Sequence, residues 1–395
     1  MERRTNEEAS RPADGAVGAL AELAAAHAAK AELDRRLSPE TYEAIRGAGF
    51  ARHFVPARWG GSEGTFDDHV RDVAAVAEGD PSAAWCASIA ATIGRMAGFL
   101  PEEAQRVIWG EGPDVFLVGA LLPAGTAEPV AGGWLLSGRW PYMSGVHFSD
   151  HAMLCCLVPL ARGGNEVRFL LVPRAAYTVE ESWFMTGMRA TGSDTLVLEP
   201  TFVPAEHSVA RHDVISGRAP GSSPACHAVP LKAVSGLSFA APVLGAARGA
   251  LAQWMAKVAQ KRAAPSTNRL LGVSEAATDA VLARTAGQID AAQLLLERAA
   301  KEADRGGITP LVAARAHRDQ TLAADIVVTA VNELFRNAGT SGASETGSLA
   351  RFWRDANTGA AHAILQFEPA ARAYAELALA DADMGQGAEI RGRER

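Results

Sequence analysis

Hydrophobic positions in the first part of the chain, up to about residue 115, repeat with the period of an α-helix. Leu20, Leu23 and Ala24 mark one apolar stripe, and Tyr42 and Ile45 mark another. Proline and glycine residues interrupt these stripes, and the proline of FLPEEAQ has the position of a helix start. We therefore predict an α-helical domain over residues 1–115.

The pattern changes after residue 116 to short apolar runs separated by turn residues. Runs such as VFLVGALL, HAMLCCLV and EVRFLLVP have the length of single strands. Gly132-Gly133 and Gly163-Gly164 fit hairpin turns between strands. The runs follow one another too closely for intervening helices, so we predict an antiparallel β-barrel domain over 116–222 and not a doubly wound sheet.

A Gly/Pro/Ser segment, SGRAPGSSPACHAVP, leads into a last region rich in Ala, Leu, Gln and Arg. Helical stretches there exceed 20 residues and are separated by short breaks, as in LVAARAHRDQTLAADIVVTAVNELFRNAG. This pattern predicts a four-helix bundle over 223–395. The fold class is thus α+β, with the order helices, β domain, bundle.

Charge and cysteine content exclude several classes of protein. The net charge of −7 provides no basic stripe for nucleic acid. Cys86, Cys155, Cys156 and Cys226 lack metal-site spacing and are interpreted as reduced thiols. The N-terminus has no apolar signal core, and Arg248 interrupts the longest apolar stretch, so we expect a cytoplasmic protein without a membrane span.

Several motifs resemble those of the acyl-CoA dehydrogenase superfamily, and more narrowly its two-component (group D) flavin-dependent monooxygenases. The resemblance extends over roughly residues 20–380. The passages that carry it are FVPARWGGSEG with DPSAAW, LSGRWPYMSGVHFSDHAML, GMRATGSDTLVLEPTFVPAE and SLARFWRDANTGAAH.

The resemblance implies an acyl-CoA dehydrogenase-like fold and an enzyme that binds reduced FAD or FMN and reacts with O2. A C4a-hydroperoxyflavin would then hydroxylate an aromatic substrate. The sequence has no dinucleotide-binding fingerprint and no P-loop lysine, so a separate NAD(P)H:flavin reductase is expected to supply the flavin. The long Ala- and Leu-rich helices suggest a homotetramer or homodimer.

The flavin-binding residues implied by the resemblance lie in two parts of the chain. Ser144 matches the serine that contacts flavin N5, and Trp140 and Tyr142 are candidates to wall the ring, although an aromatic in a strand is as often core. The turn at Thr191, Gly192 and Ser193 fits either a close approach to a planar ligand or a simple β-turn.

The bundle is implied to hold the flavin phosphate. Arg262 offers a forked donor for a phosphate, and the backbone amides of Gly339, Thr340 and Ser341 form a turn suited to an anion. The alternatives are a solvated arginine and an ordinary interhelical loop.

His362 is the candidate catalytic base. We predict a helix over 351–368 in which Asp355 and His362 share one face about 10 Å apart. An isolated histidine on an Ala-rich face is usually structural, but in the resembling monooxygenases a histidine here acts as base on the substrate O–H or N–H.

The same segment separates enzyme classes. Acyl-CoA dehydrogenases follow their Arg-Asp-Ala with a carboxylate that removes the α-proton, whereas NTGAAHAILQFE has no glutamate at that spacing. Glu345 and Glu368 are poor substitutes. The alternatives that stay open are an N-oxygenase of an amine on the same fold, an acyl-CoA dehydrogenase and a catalytically silent flavin-binding protein.

The substrate pocket is expected to be apolar. Phenol-hydroxylating relatives carry a His in the second N-terminal helix and a Ser at the start of the β domain, whereas this chain has Gly94 in the first region and Gly119 and Ala120 in the second. We therefore predict an indole-like or polycyclic aromatic substrate. His147 and His151 are too poorly placed in a β segment to bind a metal, and no metal site is expected.

Overall fold

The structure, a computed structural model, describes residues 14–159, 163–219, 223–263 and 275–393. Its first part is helical, as predicted. The helices there are α1 Asp14–Asp34, α2 Pro39–Gly47, α3 Phe66–Ala77, α4 Pro81–Ala97 and α5 Glu102–Trp109. The start of α4 is encoded locally, because the Asp80 carboxylate accepts the Ser82 N–H at 2.8 Å and Pro81 occupies the first turn.

Eight strands form the middle of the described chain, in two four-stranded sheets. The strands are β1 Leu117–Ala120, β2 Thr126–Val130, β3 Gly133–Trp140, β4 His151–Pro159, β5 Asn165–Pro173, β6 Thr178–Glu180, β7 Thr195–Pro204 and β8 Ser208–Ala210. Their order is β1-β4-β5-β8 in one sheet and β2-β3-β7-β6 in the other. The predicted β domain is confirmed, but its sheets are not wholly antiparallel, because β1 pairs parallel to β4.

The two sheets pack face to face, and one of them is covered on both sides. Leu154 and Cys156 of β4 join Leu136 and Leu196 of the other sheet in one core. Residues on the opposite face of β4, such as Met153, pack instead in a core shared with α4 and α5. Burial on both faces explains why β4 is apolar at nearly every position rather than at alternate ones.

The last part of the described chain contains the predicted long helices. After the short helices α6 Arg211–Ser216 and α7 Leu231–Val234 come α8 Leu237–Ala263, α9 Glu275–Arg305, α10 Pro310–Asn337, α11 Ser348–Ala360 and α12 Phe367–Arg393. Helix α10 packs against α8, α9 and α12. One stretch, Leu231–Ala263, has the length and hydropathy of a membrane span, but 89% of its apolar window is buried inside the protein.

The helix predicted over 351–368 is shorter than expected. Helix α11 ends at Ala360, a 3-10 turn covers Ala363–Leu365, and α12 starts at Phe367. Pro369 explains the break, because it has no N–H to donate to the carbonyl of Leu365 but fits the first turn of a new helix. His362 therefore lies in the connection between two helices and not on the same helix face as Asp355.

Candidate active site

Trp85, on α4, lies where the three parts of the fold meet. Its indole Nε1–H donates to the hydroxyl of Ser144 at 3.1 Å. Its ring centroid is 5.0 Å from that of Phe239 on α8 and 5.9 Å from that of His362. Ser144 and His362, both implied by the family resemblance, thus contact the same indole.

A chain of hydroxyl groups extends from Ser144 into the β domain. The Oγ atoms of Ser144 and Ser193 are 2.7 Å apart, and Ser193 Oγ is 2.6 Å from Thr191 Oγ1. Thr191 Oγ1 donates to the Met188 carbonyl at 2.8 Å. Thr191 and Ser193 are 2% and 3% exposed, whereas Ser144 is half-buried. Ser144 is therefore the member of the chain that a ligand can reach.

Two loops of the β domain are joined backbone to backbone beneath this chain. The Gly145 N–H donates to the Thr191 carbonyl at 2.9 Å, and the Met143 N–H donates to the Asp194 carbonyl at 3.1 Å. Gly192 closes the turn with φ 51°, in the left-handed region, where an added Cβ would lie 3.2 Å from the His147 ring. The predicted turn at 191–193 thus has a local structural reason.

Asp194 holds the neighbouring loop, and sequence analysis did not select it. One carboxylate oxygen accepts the N–H groups of Ser182 and Trp183 at 2.7 and 2.9 Å, and the other contacts His147 Nε2 at 2.7 Å. Burial opposes ionisation, but these hydrogen bonds lower the pKa of Asp194. His147 therefore has a carboxylate partner, and no group of side chains suited to a metal occurs among the described residues.

The two aromatic candidates for the flavin wall have different environments. Trp140 is fully buried in the core between the sheets and donates its Nε1–H to the Cys155 carbonyl at 3.0 Å. The interpretation of Trp140 as a ring wall is wrong, because its place in β3 points it inward. Tyr142 is 65% exposed, and its ring lies edge-on to Trp183 with centroids 6.1 Å apart.

His362 is held by packing more than by hydrogen bonds. Its ring stacks on Phe239 with centroids 4.0 Å apart and planes 13° from parallel. The Ile364 N–H donates to its Nδ1 at 3.3 Å, which is longer than the usual range of about 2.7–3.2 Å. Burial lowers the pKa of His362 to about 4, so the imidazole is neutral at pH 7.

Asp355, on α11, connects the bundle to the loop that carries the hydroxyl chain. Its carboxylate accepts the Met188 N–H at 2.5 Å, and Met188 has a left-handed φ of 52°. The preceding Gly187 cannot be replaced, since an added Cβ would lie 2.2 Å from the Arg354 carbonyl. Burial, together with the nearby charge of Asp80, raises the pKa of Asp355 to about 7. Asp355 therefore fixes the position of the loop that carries the hydroxyl chain.

The residues that could line a substrate pocket differ in part from those that the sequence predicted. Helix α4 is buried along its length except at Ile89 and Thr92, which lie four and seven residues after Trp85. The hydroxyl groups of Thr92 and Ser238 are 2.7 Å apart. Ile89 and Thr92 are half-buried and lie on the same face of α4 as Trp85.

The three small residues predicted to line the substrate pocket do not share one environment. Gly119 and Ala120 are half-buried on β1, and an added Cβ on Gly119 would lie 2.9 Å from the Ile93 side chain. Gly94 is buried, and its Cβ would meet the Ala51 carbonyl at 3.2 Å. The assignment of Gly94 to the pocket is wrong, because it provides close packing between α4 and the segment after α2.

The residues proposed for the flavin phosphate lie together at the far end of α8. Arg262 is exposed and pairs with Asp279 at 2.6 Å. Lys257 donates to the Ser341 carbonyl at 3.2 Å, which places the turn at Gly339, Thr340 and Ser341 beside the same helix end. Arg262 follows Phe239 by 23 residues of helix, or roughly 35 Å. Arg262 and Phe239, which packs on Trp85, therefore lie near opposite ends of α8.

The acids considered for a dehydrogenase are outside the site. Glu345 precedes α11, Glu368 lies at the start of α12, and both are exposed. The carboxylate that is close to the site, Asp355, has its oxygen directed at the Met188 N–H. None of these three is placed as a base beside Trp85.

Sequence analysis missed Trp85, Phe239 and Asp194 as parts of the site. Trp85 closes the DPSAAW motif and is the first large residue of α4. Asp194 stands in the quoted motif GSDT, where an acid after a Gly-Ser turn could have been tested as a loop anchor. Phe239 had no local signal, because its contact with His362 joins positions far apart in sequence.

Comparison with known proteins gives consistent results over most of the chain. Residues 237–367 match the family model described as acyl-CoA dehydrogenase, C-terminal domain. The chain is 30% identical over 348 residues to the oxygenase subunit HsaA of a flavin-dependent monooxygenase from Mycobacterium tuberculosis, covering 83% of this chain and 85% of that one.

Two further proteins resemble the chain at similar identity. It is 29% identical over 372 residues to the oxygenase component of the FADH2-dependent resorcinol hydroxylase from a Rhizobium strain, with 90% of each chain covered. The solved structure of XiaF from Streptomyces, in complex with FADH2 and glycerol, superposes with a TM-score of 0.83 at 29% identity, covering 91% of this chain and 93% of that chain.

Proposed function

This chain belongs to the family of flavin-dependent monooxygenase oxygenase components, and from that premise we propose that it hydroxylates an aromatic or heteroaromatic metabolite. It would use reduced FAD or FMN and O2, with the reduced flavin supplied by a separate NAD(P)H:flavin reductase. The observation that carries the proposal is the convergence on Trp85 of an accessible hydroxyl, Ser144, and a neutral imidazole, His362.

The residues around Ser144 fit a flavin. Ser144 has accessible surface at the end of an otherwise buried hydroxyl chain. Tyr142, two residues before Ser144, and Phe184, next to the Trp183 that Tyr142 contacts, are each 65% exposed and offer aromatic surface that a ligand could cover. A reduced flavin bound here would supply the two electrons that activate O2, and O2 would supply the oxygen atom that is transferred, with the second oxygen atom leaving as water. Ser144 fixes the ring by contacting N5, and the surrounding aromatic surface excludes water.

His362 is proposed to act on the substrate. Its low pKa keeps the imidazole neutral, and the long contact from Ile364 leaves the ring free to take either tautomer. The contact from Ile364 puts the ring hydrogen on Nε2, so the base role requires the other tautomer. In that tautomer this long contact is given up, the hydrogen is on Nδ1, and Nε2 can accept a proton from a substrate O–H or N–H. Removing that proton raises the electron density of the aromatic carbon that receives oxygen.

The substrate is proposed to be indole-like or polycyclic. The half-buried residues Ile89 and Thr92 lie on the same face of α4 as Trp85, and the three positions span a rise of roughly 10 Å, which exceeds the width of one aromatic ring. This wall presents Ile89 and, at its end, the Thr92 hydroxyl, with Gly119 and Ala120 nearby on β1. A pocket of that length with one polar end suits a fused-ring system better than resorcinol, the substrate named for one relative.

The flavin phosphate is proposed to be held by a second copy of the chain. The roughly 35 Å between Phe239 and Arg262 along α8 exceeds the reach of one flavin nucleotide. The predicted homodimer or homotetramer would bring Arg262 and the turn at Gly339, Thr340 and Ser341 of one copy to the Ser144 side of another. The positive side chain and the backbone amides of this turn suit a phosphate.

The proposal can be tested by mixing the anaerobic complex of protein and reduced flavin with O2 in the presence of single substrates. Indole, a naphthol and resorcinol should be compared, with 18O2 as the label. Label in the fused-ring product supports both the reaction and the substrate class. Label in resorcinol alone would contradict the substrate class, and reduction of oxidised flavin by an acyl thioester without labelled product would contradict the reaction.

A further inference from the structure

The hydrogen bonds of the chain Ser144–Ser193–Thr191 have directions that follow from its inner end. Thr191 Oγ1 lies 2.8 Å from the Met188 carbonyl oxygen, which has no hydrogen to donate. Two oxygens this close attract each other only with a hydrogen between them, so Thr191 is the donor. Because a hydroxyl has one hydrogen, Thr191 must accept from Ser193 across the 2.6 Å contact.

The hydroxyl hydrogens can be counted in the same way at Ser144, the outer end of the chain. The Ser193 hydrogen is directed at Thr191, so the 2.7 Å contact with Ser144 requires Ser144 to donate. Ser144 also accepts the Nε1–H of Trp85, which is a donor only. Its hydroxyl is left with one free lone pair and no free hydrogen. To a ligand, Ser144 is therefore an acceptor.

We propose that this fixed direction makes the site selective for reduced over oxidised flavin, with Ser193 and Thr191 as specificity-determining residues. The inference rests on the proposed function, because it takes Ser144 as the contact of flavin N5. Reduced flavin has an N5–H that can donate to the free lone pair of Ser144. Oxidised flavin has an unprotonated N5 that needs a donor, which Ser144 does not offer.

The chain cannot easily reverse. Thr191 and Ser193 are almost fully buried, so water does not offer them other partners. The terminal acceptor is held in place, because the N–H of Met188 donates to Asp355 and its carbonyl also accepts the Nε1–H of Trp183 at 2.8 Å. Reversal would place lone pairs of Thr191 and Met188 against each other in a dry environment, where an unmade hydrogen bond is costly.

The test is the ratio of dissociation constants for oxidised and reduced flavin, measured without substrate. FAD and FMN should be titrated by flavin fluorescence, anaerobically for the reduced forms, into wild type, Thr191→Val and Ser193→Ala. In Thr191→Val, Ser193 can turn its hydrogen to Ser144, and Ser144 is then free to donate outward. In Ser193→Ala, the Ser144 hydrogen is freed directly. We expect oxidised flavin to bind better and the ratio to fall about 3- to 10-fold in both variants.

Two variants serve as controls. Ser149→Ala removes another buried hydroxyl of the β domain, which bonds to the Val146 carbonyl and the Tyr177 hydroxyl at 2.7 and 2.6 Å rather than to a member of the Ser144–Ser193–Thr191 chain. It should keep the wild-type ratio. Thr191→Ser retains the terminal donor and should also keep it. Thermal midpoints identify any variant that loses affinity by unfolding.

The outcomes separate this inference from the proposed function. A ratio within about twofold of wild type in both folded variants overturns the inference, while hydroxylation by wild type would leave the proposed function intact. A ratio that falls in Ser149→Ala as much as in Ser193→Ala also overturns it. Failure of the wild-type protein to bind either flavin overturns both.

Discussion

The two sides of Trp85 are constructed in opposite ways. On the Ser144 side, each hydroxyl has both a donor and an acceptor partner at 2.6–3.1 Å. On the His362 side, the ring is stacked on Phe239 and has one long hydrogen bond, from Ile364. Both sides share the indole of Trp85, through its N–H on one side and its ring on the other.

The difference matches two chemical tasks. A group that must present one fixed lone pair benefits from hydrogen bonds that fix its direction. A group that must gain and lose a proton benefits from an unoccupied nitrogen and from an environment that sets its pKa. Packing provides such an environment without hydrogen-bond partners, because burial alone lowers the pKa of His362. The variants below separate the two sides.

The largest expected effect is from removing the imidazole. His362→Ala should lower the rate of product formation by about 10²- to 10⁴-fold, the usual contribution of a positioned base. Reduced flavin should still react with O2, so oxygen consumption should continue and hydrogen peroxide should replace product. Product and peroxide are quantified in the same reaction. His212→Ala, a histidine of α6 outside the site, should behave as wild type.

A result in which His362→Ala retains product formation within about tenfold of wild type would contradict the base role. Loss of flavin affinity in that variant would instead mean that the His362 side of Trp85 also contributes to flavin binding on the Ser144 side.

The next effect concerns the connection between α11 and the hydroxyl chain. Asp355→Ala leaves the buried Met188 N–H without a partner and should lower the free energy of unfolding by about 1–3 kcal/mol. Hydrogen exchange of the segment 187–195 should become faster in the flavin-free protein. Asp355→Asn keeps an acceptor oxygen and should show neither change to the same extent.

Asp304 provides a matched control for this anchor. Its carboxylate accepts the N–H groups of Phe66 and Asp67 at 2.8 and 3.0 Å, at the start of α3. Asp304→Ala should lower stability to a similar degree without faster exchange in 187–195. If Asp304→Ala also mobilises that segment, or Asp355→Ala does not, Asp355 has no specific positioning role.

Asp355 also predicts a pH dependence of stability. Its pKa rises to about 7 in the fold through burial and the charges of Asp80 and Glu32, with Arg351 opposing. Since the folded pKa exceeds the ordinary value of about 3.9, the folded protein binds the extra proton. The contribution is complete below pH 3.9 and is lost as the pH rises through 7. The stability of wild type relative to Asp355→Asn should therefore fall between pH 5 and 8, and a difference that is flat or rising would be contrary to this account.

A smaller effect is expected in the pH profile of hydroxylation. Because the pKa of His362 is about 4, its base form is already present throughout pH 5.5–7.5. Activity limited by this base should be nearly constant in that window and should fall only as the pH approaches 4. Initial rates at saturating substrate, with folding checked at each pH, give the profile. An acidic limb centred near the ordinary histidine value of about 6.5 would contradict the burial argument.

The parts of this site that could be predicted were those with local signals. The α-β-α order followed from a change of hydrophobic period, and Ser144 and His362 followed from motifs that are contiguous in sequence. Pro369 signalled the first turn of α12, but the Ala-rich run around His362 gave no sign that α11 already ends at Ala360. Trp140 was misplaced because alternation in β3 does not by itself say which face is the core.

The other parts of the site depend on contacts between residues that no single sequence motif contains. The bond from Trp85 to Ser144 joins helix α4 to the β domain, and the stack of Phe239 on His362 joins the first turn of α8 to the end of α11. Asp355 belongs to α11 of the bundle, but its carboxylate is directed at Met188 in the β domain. Such contacts follow from how the three parts of the fold pack together.

The smallest expected effect is from changing Trp85, whose indole links the Ser144 side of the site to the His362 side. Trp85→Phe keeps an aromatic ring against Phe239 and His362 but removes the N–H that Ser144 accepts. We expect the yield of product per O2 to fall about 2- to 10-fold, the range of one hydrogen bond, with an unchanged pH profile. Trp140→Phe is the matched control, because it also deletes a buried indole N–H, the donor to Cys155, but inside the β core. Trp140→Phe should lower stability and leave the yield of product per O2 unchanged. Equal losses of yield in the two variants would mean that the indole N–H of Trp85 acts through the stability of the fold and not through Ser144.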